Sequence, residues 1–289
     1  MFKEVKSLLN LNWIYILFII TIFWIGEVNL FSAANGSLDP WAKKQLVRFS
    51  IFLPIFFLVA MIKPRLVFDL SEIFLFLIIL GLIATLFFGY IGGGSRRWIR
   101  IGFFNLQISE FAKIFLVLYL SKYFHNLDLN GHLGISRSLV PILLIFFIFL
   151  LIAAQPDLGT ALIILILGCS MIFFIGIKII YPALLSIFLI LSSPLIWNLL
   201  KPYQQNRVLT FLNPDLDPLG KGYHIIQSKI AIGSGGMRGN GFLGGSQSSL
   251  NFIPEKETDF VFSIFAEQFG FVGSLFLLSL FFIIIIVPI

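Results

Sequence analysis

Charge is scarce in this chain. Asp, Glu, Lys and Arg make up 12% of its 289 residues, where a water-soluble domain carries about a quarter. So little charge excludes an ordinary soluble enzyme or binding domain. Cysteine is nearly missing as well. Cys169 is the single copy, inside an apolar run, so no disulfide can form within the chain, and the residue reads as small apolar packing. The three histidines, His125, His132 and His224, show no metal-ligand spacing with one another or with Cys169. No structural metal is expected. Nor is there a visible repeat of inverted topology, which argues against a secondary transporter.

What the chain has is long apolar runs. Hydrophobic residues are 58% of it and the mean hydropathy is +1.00. Crossing a bilayer takes about 20 apolar residues in a helix. Eight stretches qualify, at roughly 11–31, 46–62, 70–91, 106–124, 138–154, 158–177, 180–199 and 260–287. The apolar core of the N-terminal segment is too long for a signal peptide, and no small-x-small cleavage site follows closely, so it is expected to stay as the first helix. The expected fold is all-α: one polytopic transmembrane helix bundle over 1–289, with a large extracytoplasmic loop at 200–258.

Lys3 and Lys6 suggest a cytoplasmic N-terminus. The inner loops then hold seven cations and the outer segments twelve, which inverts the positive-inside rule. Half of the twelve fall in the long 201–259 segment, to which the rule barely applies. The rest, notably Arg96, Arg97 and Arg100, fit an anionic partner at the outer face or charges solvated among headgroups.

The chemistry is expected in the polar, glycine-rich stretch from Lys201 to Asp259. Between greasy helices, such a segment usually carries function. Within it, GSGGMRGNGFLGG contains G-x-G-x-x-G from Gly239 to Gly244. With no preceding strand or βαβ unit, a dinucleotide site is rejected. The glycines could bring backbone N–H groups close to a phosphate, with Arg238 adding charge, or they could form tight turns in a flexible loop. Asp259 opens the last apolar run. Short of water and flanked by Glu255 and Glu257, it suits proton abstraction; otherwise Thr258 or Asp259 caps the helix. Glu267, two turns further in, is buried with a cation or lines the same cavity. Glu110 and Lys113 share a helix face three residues apart, as a functional pair or a structural one. In Gln155-Pro156-Asp157, Pro156 breaks a helix, and Asp157 either caps the next or faces a polar cavity. These residues alone leave two classes open: a transferase acting on a lipid-linked phosphate, and a transporter of an anionic lipid.

The stretches SRRWIRIG, QISEFAK, QPDLGT, YQQNRVLTFLNPDLDPLGKGYHIIQSKIAIGSGG and FIPEKETDFVF together resemble the shape, elongation, division and sporulation (SEDS) family of peptidoglycan polymerases. The wording HIIQSKIAIGSGG is similar to the rod-shape elongation branch, RodA, more than to the division branch, FtsW. The resemblance implies a glycosyltransferase, multi-pass in the bacterial cytoplasmic (inner) membrane, that polymerises lipid II at the outer face during elongation and releases undecaprenyl pyrophosphate. It implies Asp259 as the catalytic residue. It further implies a substrate and pyrophosphate site drawn from Arg97, Trp98, Glu110, Lys113, Asp157 and Arg207, to which Lys229 and Arg238 of the large loop are added. A class B penicillin-binding protein and other elongation-complex membrane proteins are the implied partners, lipid II is the substrate, and no nucleic acid is expected. A divalent cation, magnesium or manganese, is the one cofactor the chemistry leaves room for.

Ile108 stands where the family usually has Pro, and Glu257 where it often has His. Family members carry about ten spans, and this chain stops near the eighth. The expectation is a fragment or a truncated copy. Two further readings follow: a lipid II flippase, and a non-catalytic scaffold.

Overall fold

The computed structural model describes residues 12–92, 95–102, 104–127, 134–200, 202–217, 220–249 and 255–287. Eight helices of 17 to 26 residues account for most of them. In chain order the helices are α1 Trp13–Ala33, α2 Ala42–Ala60, a short α3 Pro64–Asp69, α4 Ser71–Phe88, α5 Ile108–His125, α6 Ile135–Ala153, α7 Leu158–Phe174 and α8 Ile180–Leu199, then α9 Pro202–Leu212, α10 Lys221–Ser234, a short α11 Ser246–Ser249 and α12 Val261–Ile286. Each expected span is met by a helix. Four of these (α1, α4, α6 from Ser136, and α12) are long and apolar enough by themselves to cross a membrane. The protein is a multi-pass membrane protein.

Two corrections to the expected fold concern the polar stretches. Between α4 and α5 the chain forms a three-stranded antiparallel sheet, β1 Tyr90–Gly92, β2 Ser95–Ile101 and β3 Phe104–Leu106, in the order β1-β2-β3. Two strands of three residues, and a β2 that carries three arginines, lack the run of alternating residues that announces a strand. The 200–258 segment is also more than a loop. It contains α9, a 3₁₀ turn at Pro214–Leu216, α10 and α11.

The described residues form two compact units: one runs to Met61 and resumes at Ile196, and the other is Ile62–Leu195. The second unit packs α4, α5, α6 and α7 around one stripe. It comprises Leu75 and Leu82; Ala112, Leu116, Leu120 and Phe124; Ile145, Ile148 and Ile152; and Ala161, Ile164 and Ile172. The spacings of three, four, seven and eight are those of one helix face. Gly168 lets α6 and α7 close up: a Cβ there would lie 2.5 Å from Ile145 Cδ1. The outward faces stay apolar, as at Phe87, Ile190 and Leu191. Helices hydrophobic all round suit a lipid surround, where close packing rather than water exclusion holds helices together.

In the first unit α12 packs on α1 and α10. The backbone of α12 leaves the helical conformation at one residue, Gly270, whose φ is 65° and ψ −162°. The helix is broken there and resumes directly after.

Candidate functional site

In the second unit, β2 carries Arg97 and the start of α7 carries Asp157. Asp157 is the N-cap: Oδ1 accepts from Thr160 N at 3.4 Å and Oδ2 from Thr160 Oγ1 at 3.0 Å. The capping reading of Asp157 is therefore right, and the residue does more. Its Oδ1 lies 3.7 Å from Arg97 Nη1, an ion-pair distance too long for a hydrogen bond. Its Oδ2 accepts a third bond, 3.1 Å, from Gln107 Nε2, and that amide nitrogen also donates to Ser109 Oγ at 3.1 Å. Asp157 is buried, whereas the Arg97 side chain is one-third exposed. Arg97 lies with its guanidinium carbon 6.0 Å from the half-buried Trp98 ring. The Nε of Arg97 is buried and has no partner among the described residues, and an unmet buried donor costs about 1–3 kcal/mol.

Two of the three clustered arginines, Arg96 and Arg100, are occupied by the chain itself. Arg96 Nη1 donates to the Leu86 carbonyl at 3.2 Å, near the C-terminal end of α4, where cations are favoured. The guanidinium of Arg100 lies 4.9 Å from the Tyr90 ring centre. Arg97 is the one of the three with a buried open donor among the described residues. On α5, Lys113 Nζ donates to Glu110 Oε2 at 2.8 Å. The two form a pair on one face as expected, with Glu110 exposed and Lys113 half-buried. Gln155 is buried and donates to the Leu82 carbonyl at 3.1 Å, stitching α6 to α4.

In the first unit, the glycine-rich segment makes the expected tight turns, at 235–238 and 242–243, but it is pinned rather than flexible. The break at Gly270 frees backbone groups of α12, and this segment meets them. Asn240 N donates to the Glu267 carbonyl and Gly241 N to the Gln268 carbonyl; Phe271 N donates to the Gly236 carbonyl and Val272 N to the Met237 carbonyl. These N–H groups are committed to protein carbonyls, so they are not a phosphate cradle, and the segment is pinned at four points. Side chains are excluded sterically: a Cβ on Gly239 would lie 2.0 Å from the Gln268 carbonyl oxygen, and one on Gly270 would lie 2.3 Å from Gly239 N. Both glycines also have positive φ. Arg238 projects, exposed, from this pinned segment, and Lys229 is exposed on α10.

Glu267 is fully buried and accepts from the backbone N of Gln247 at 2.8 Å. It is a structural acceptor that anchors α11. Gln268 donates to Ser32 Oγ at 2.6 Å, and Asn29 donates to the Val261 carbonyl at 2.7 Å. These polar side chains fasten α1 to the start of α12.

Asp259 lies in a turn over Glu255–Phe260, just before α12. The expected desolvation is absent, because the residue is exposed. Helix capping is also ruled out. The N-cap position is Phe260, with no side-chain cap, and Thr258 Oγ1 donates to the Glu255 carbonyl instead. The turn spends its hydrogen bonds on backbone groups: Thr258 N and Asp259 N both donate to the Glu255 carbonyl. The Asp259 carboxylate has no hydrogen-bond or ion-pair partner among the described residues. Beside it, Lys256 is buried, with Nζ 5.8 Å from the Trp41 ring centre. Burial pulls its pKa below the ordinary 10.5, and the Glu257 carboxylate pushes it part of the way back.

The geometry thus joins Arg97 with Trp98 and Asp157, and Glu110 with Lys113. The backbone of Arg207 is in α9, but its side chain lies outside the described residues. Among the described residues, no three His, Cys, Asp or Glu side chains gather as a metal site. Gln107 was missed. Its signal was slight: a polar residue at the N-cap position of α5, inside a motif whose charged members drew the attention.

The protein-family model of the cell cycle proteins FtsW, RodA and SpoVE matches residues 6–289. The peptidoglycan glycosyltransferase MrdB of Escherichia coli K12 is 38% identical over 254 residues, 88% of this chain and 68% of MrdB. Among solved structures, a chain from a peptidoglycan synthase complex, reported for the coordination of polymerization and crosslinking, superposes with a TM-score of 0.78 at 33% identity, covering 96% of this chain and 76% of that one. The rod shape determining protein RodA of Thermus thermophilus superposes with a TM-score of 0.65 at 26% identity, covering 96% and 73%. The chain belongs to the FtsW/RodA/SpoVE family of cell cycle proteins.

Proposed function

We propose that this chain is a peptidoglycan glycosyltransferase that polymerises lipid II at the outer face of the bacterial cytoplasmic membrane. The observation that carries the reading is the likeness to MrdB over 88% of the chain. The chemistry rests on Asp259. A general base must reach a substrate proton, and this carboxylate is exposed and uncommitted.

In the step we propose, Asp259 takes the proton of the sugar 4-hydroxyl of an acceptor lipid II. The hydroxyl oxygen bonds to the anomeric carbon of the growing strand. The bond from that carbon to the pyrophosphate oxygen breaks, and undecaprenyl pyrophosphate leaves with the electron pair. Negative charge grows on the departing pyrophosphate, and cations placed beforehand stabilise it without rearranging. Arg97 is the best suited, with a planar fork on a side chain that stays one-third exposed. Trp98 orients it, and Asp157 balances its charge. Lys113 with Glu110, and Arg207, Lys229 and Arg238, are further contacts for the anionic lipid. The partner is a class B penicillin-binding protein, which cross-links the strands; the similarity to a chain of a peptidoglycan synthase complex supports this.

The test is to purify the chain with such a partner and supply labelled lipid II, beside Asp259→Ala. Long glycan from the first and none from the second is expected. Equal product from both would remove Asp259 from the mechanism. No product from either would leave the scaffold or flippase reading.

A further inference from the structure

We infer that Gln107 is a positioning residue that keeps Arg97 available to a pyrophosphate group. The inference rests on the proposed role of Arg97 and adds a residue that contacts no substrate. The Asp157 carboxylate faces donors on two sides. Its Oδ2 is held by two neutral donors, Gln107 Nε2 at 3.1 Å and Thr160 Oγ1 at 3.0 Å. Its Oδ1 caps α7 through Thr160 N at 3.4 Å and stands 3.7 Å from Arg97 Nη1.

At that distance the carboxylate attracts the guanidinium without taking up its N–H groups. A carboxylate free to turn would do otherwise. Aspartate and arginine normally close to a two-point, fork-to-fork contact. Such a contact here would use the guanidinium edge that an incoming phosphate needs. The amide of Gln107 resists that turn. It is itself tied to Ser109 Oγ at the first turn of α5, so its reach is set by a helix end. The outcome is visible on Arg97: its side chain stays one-third exposed, and its Nη1 stands 3.7 Å from the carboxylate, too far for a hydrogen bond. A partly exposed guanidinium beside an acid held at arm's length is the arrangement expected of a group kept for an anion.

The consequence is specific. Loss of the Gln107 amide should let Asp157 capture Arg97 and weaken phosphate binding. Loss of the Asp157 charge in the same molecule should undo that damage, since nothing would remain to capture the arginine. A purely structural role for Gln107 predicts the opposite, two defects that add.

The experiment measures undecaprenyl pyrophosphate binding by the full chain in lipid nanodiscs, with undecaprenol as the phosphate-free control. Gln107→Leu should weaken pyrophosphate binding about tenfold or more, the size of one charge-assisted hydrogen bond, and leave undecaprenol binding unchanged. Gln107→Asn, whose amide is one methylene too short, should move the same way if the leucine variant does not fold. The double variant Gln107→Leu with Asp157→Asn should bind more tightly than Gln107→Leu alone. In lipid II polymerisation, Gln107→Leu should raise KM with kcat near wild type. Unchanged pyrophosphate binding, equal loss of undecaprenol binding, or a double variant weaker than the single would each overturn the inference. If the wild type makes no glycan yet the binding pattern holds, the proposed activity fails and the role of Gln107 stands.

Discussion

The two units hold their polar residues by different means. In Ile62–Leu195, side chains do it. Arg97, Gln107 and Asp157 come from β2, the start of α5 and the start of α7, and are linked through one carboxylate. In the other unit, backbone holds the glycine-rich segment. Four main-chain hydrogen bonds seat the glycine-rich segment in the break of α12 at Gly270. Backbone away from water must find partners within the protein, and glycine allows the main chains to approach closely enough. A side-chain network can be tuned by exchanging one group, as at Gln107. At Gly239 and Gly270 the backbone joint accepts no added atom. The difference predicts that substitutions in the first unit's joint act on stability, and those in the second unit's network on binding and rate.

The largest effect on stability is expected at Gly270 and Gly239. An alanine at either must tolerate positive φ and a Cβ within about 2.0–2.3 Å of backbone atoms. Strain at about 1–3 kcal/mol and overpacking at a similar size should together lower the melting temperature sharply in detergent. Wild-type melting of Gly270→Ala would show that the joint tolerates a side chain after all. Gly241 sharpens it, having φ of 89° and open space within 4 Å of where a methyl group would stand. Gly241→Ala should lose only the conformational part, about 1–2 kcal/mol.

The second unit should answer differently. Thr160→Val removes one of the two neutral donors to Asp157 Oδ2. About 0.5–1.5 kcal/mol of stability should go, together with a rise in KM for lipid II. A change in melting temperature without one in KM would show the network to be structural only.

The smallest effect is a dependence on pH. The pKa of Lys256 is lowered in the fold, so the unfolded chain binds its proton more tightly. Stability is therefore reduced below the lowered value and recovers as pH rises towards 10.5, because the unfolded state holds more protons in that window. The recovery should disappear in Lys256→Met, followed as melting temperature against pH. A recovery of equal size in the variant would assign it to another group.

Much of the fold was legible because apolar runs of helix length have few alternatives in a membrane. Asp157 was legible as a cap, since Pro156 and the apolar run after it mark a helix start. The pairing of Arg97 with Asp157 joins residues far apart in sequence, and nothing local announces it. The β1-β2-β3 sheet was hidden by its short strands and by the three arginines of β2. The helices α9 and α10 were hidden by polar composition. The glycine-rich segment was recognised, but its partner was not: main-chain contacts leave no side-chain signature, and Gly270 looked like one more small residue in an apolar helix. Asp259 was legible from its place before the last apolar run as well as through the resemblance, and misjudged in its setting, since its turn is closed by the Glu255 carbonyl rather than by a side-chain cap.

The central claim is that Asp259 is the base of a glycan polymerase. Its most direct test is Asp259→Asn, measured twice on the same preparation, for lipid II binding and for glycan formation. The substitution keeps the size of the side chain and, at an exposed position without partners among the described residues, should leave folding and binding intact. The account predicts wild-type affinity with polymerisation slowed by about 10²–10⁴-fold, the usual contribution of a general base. Polymerisation at the wild-type rate would contradict it.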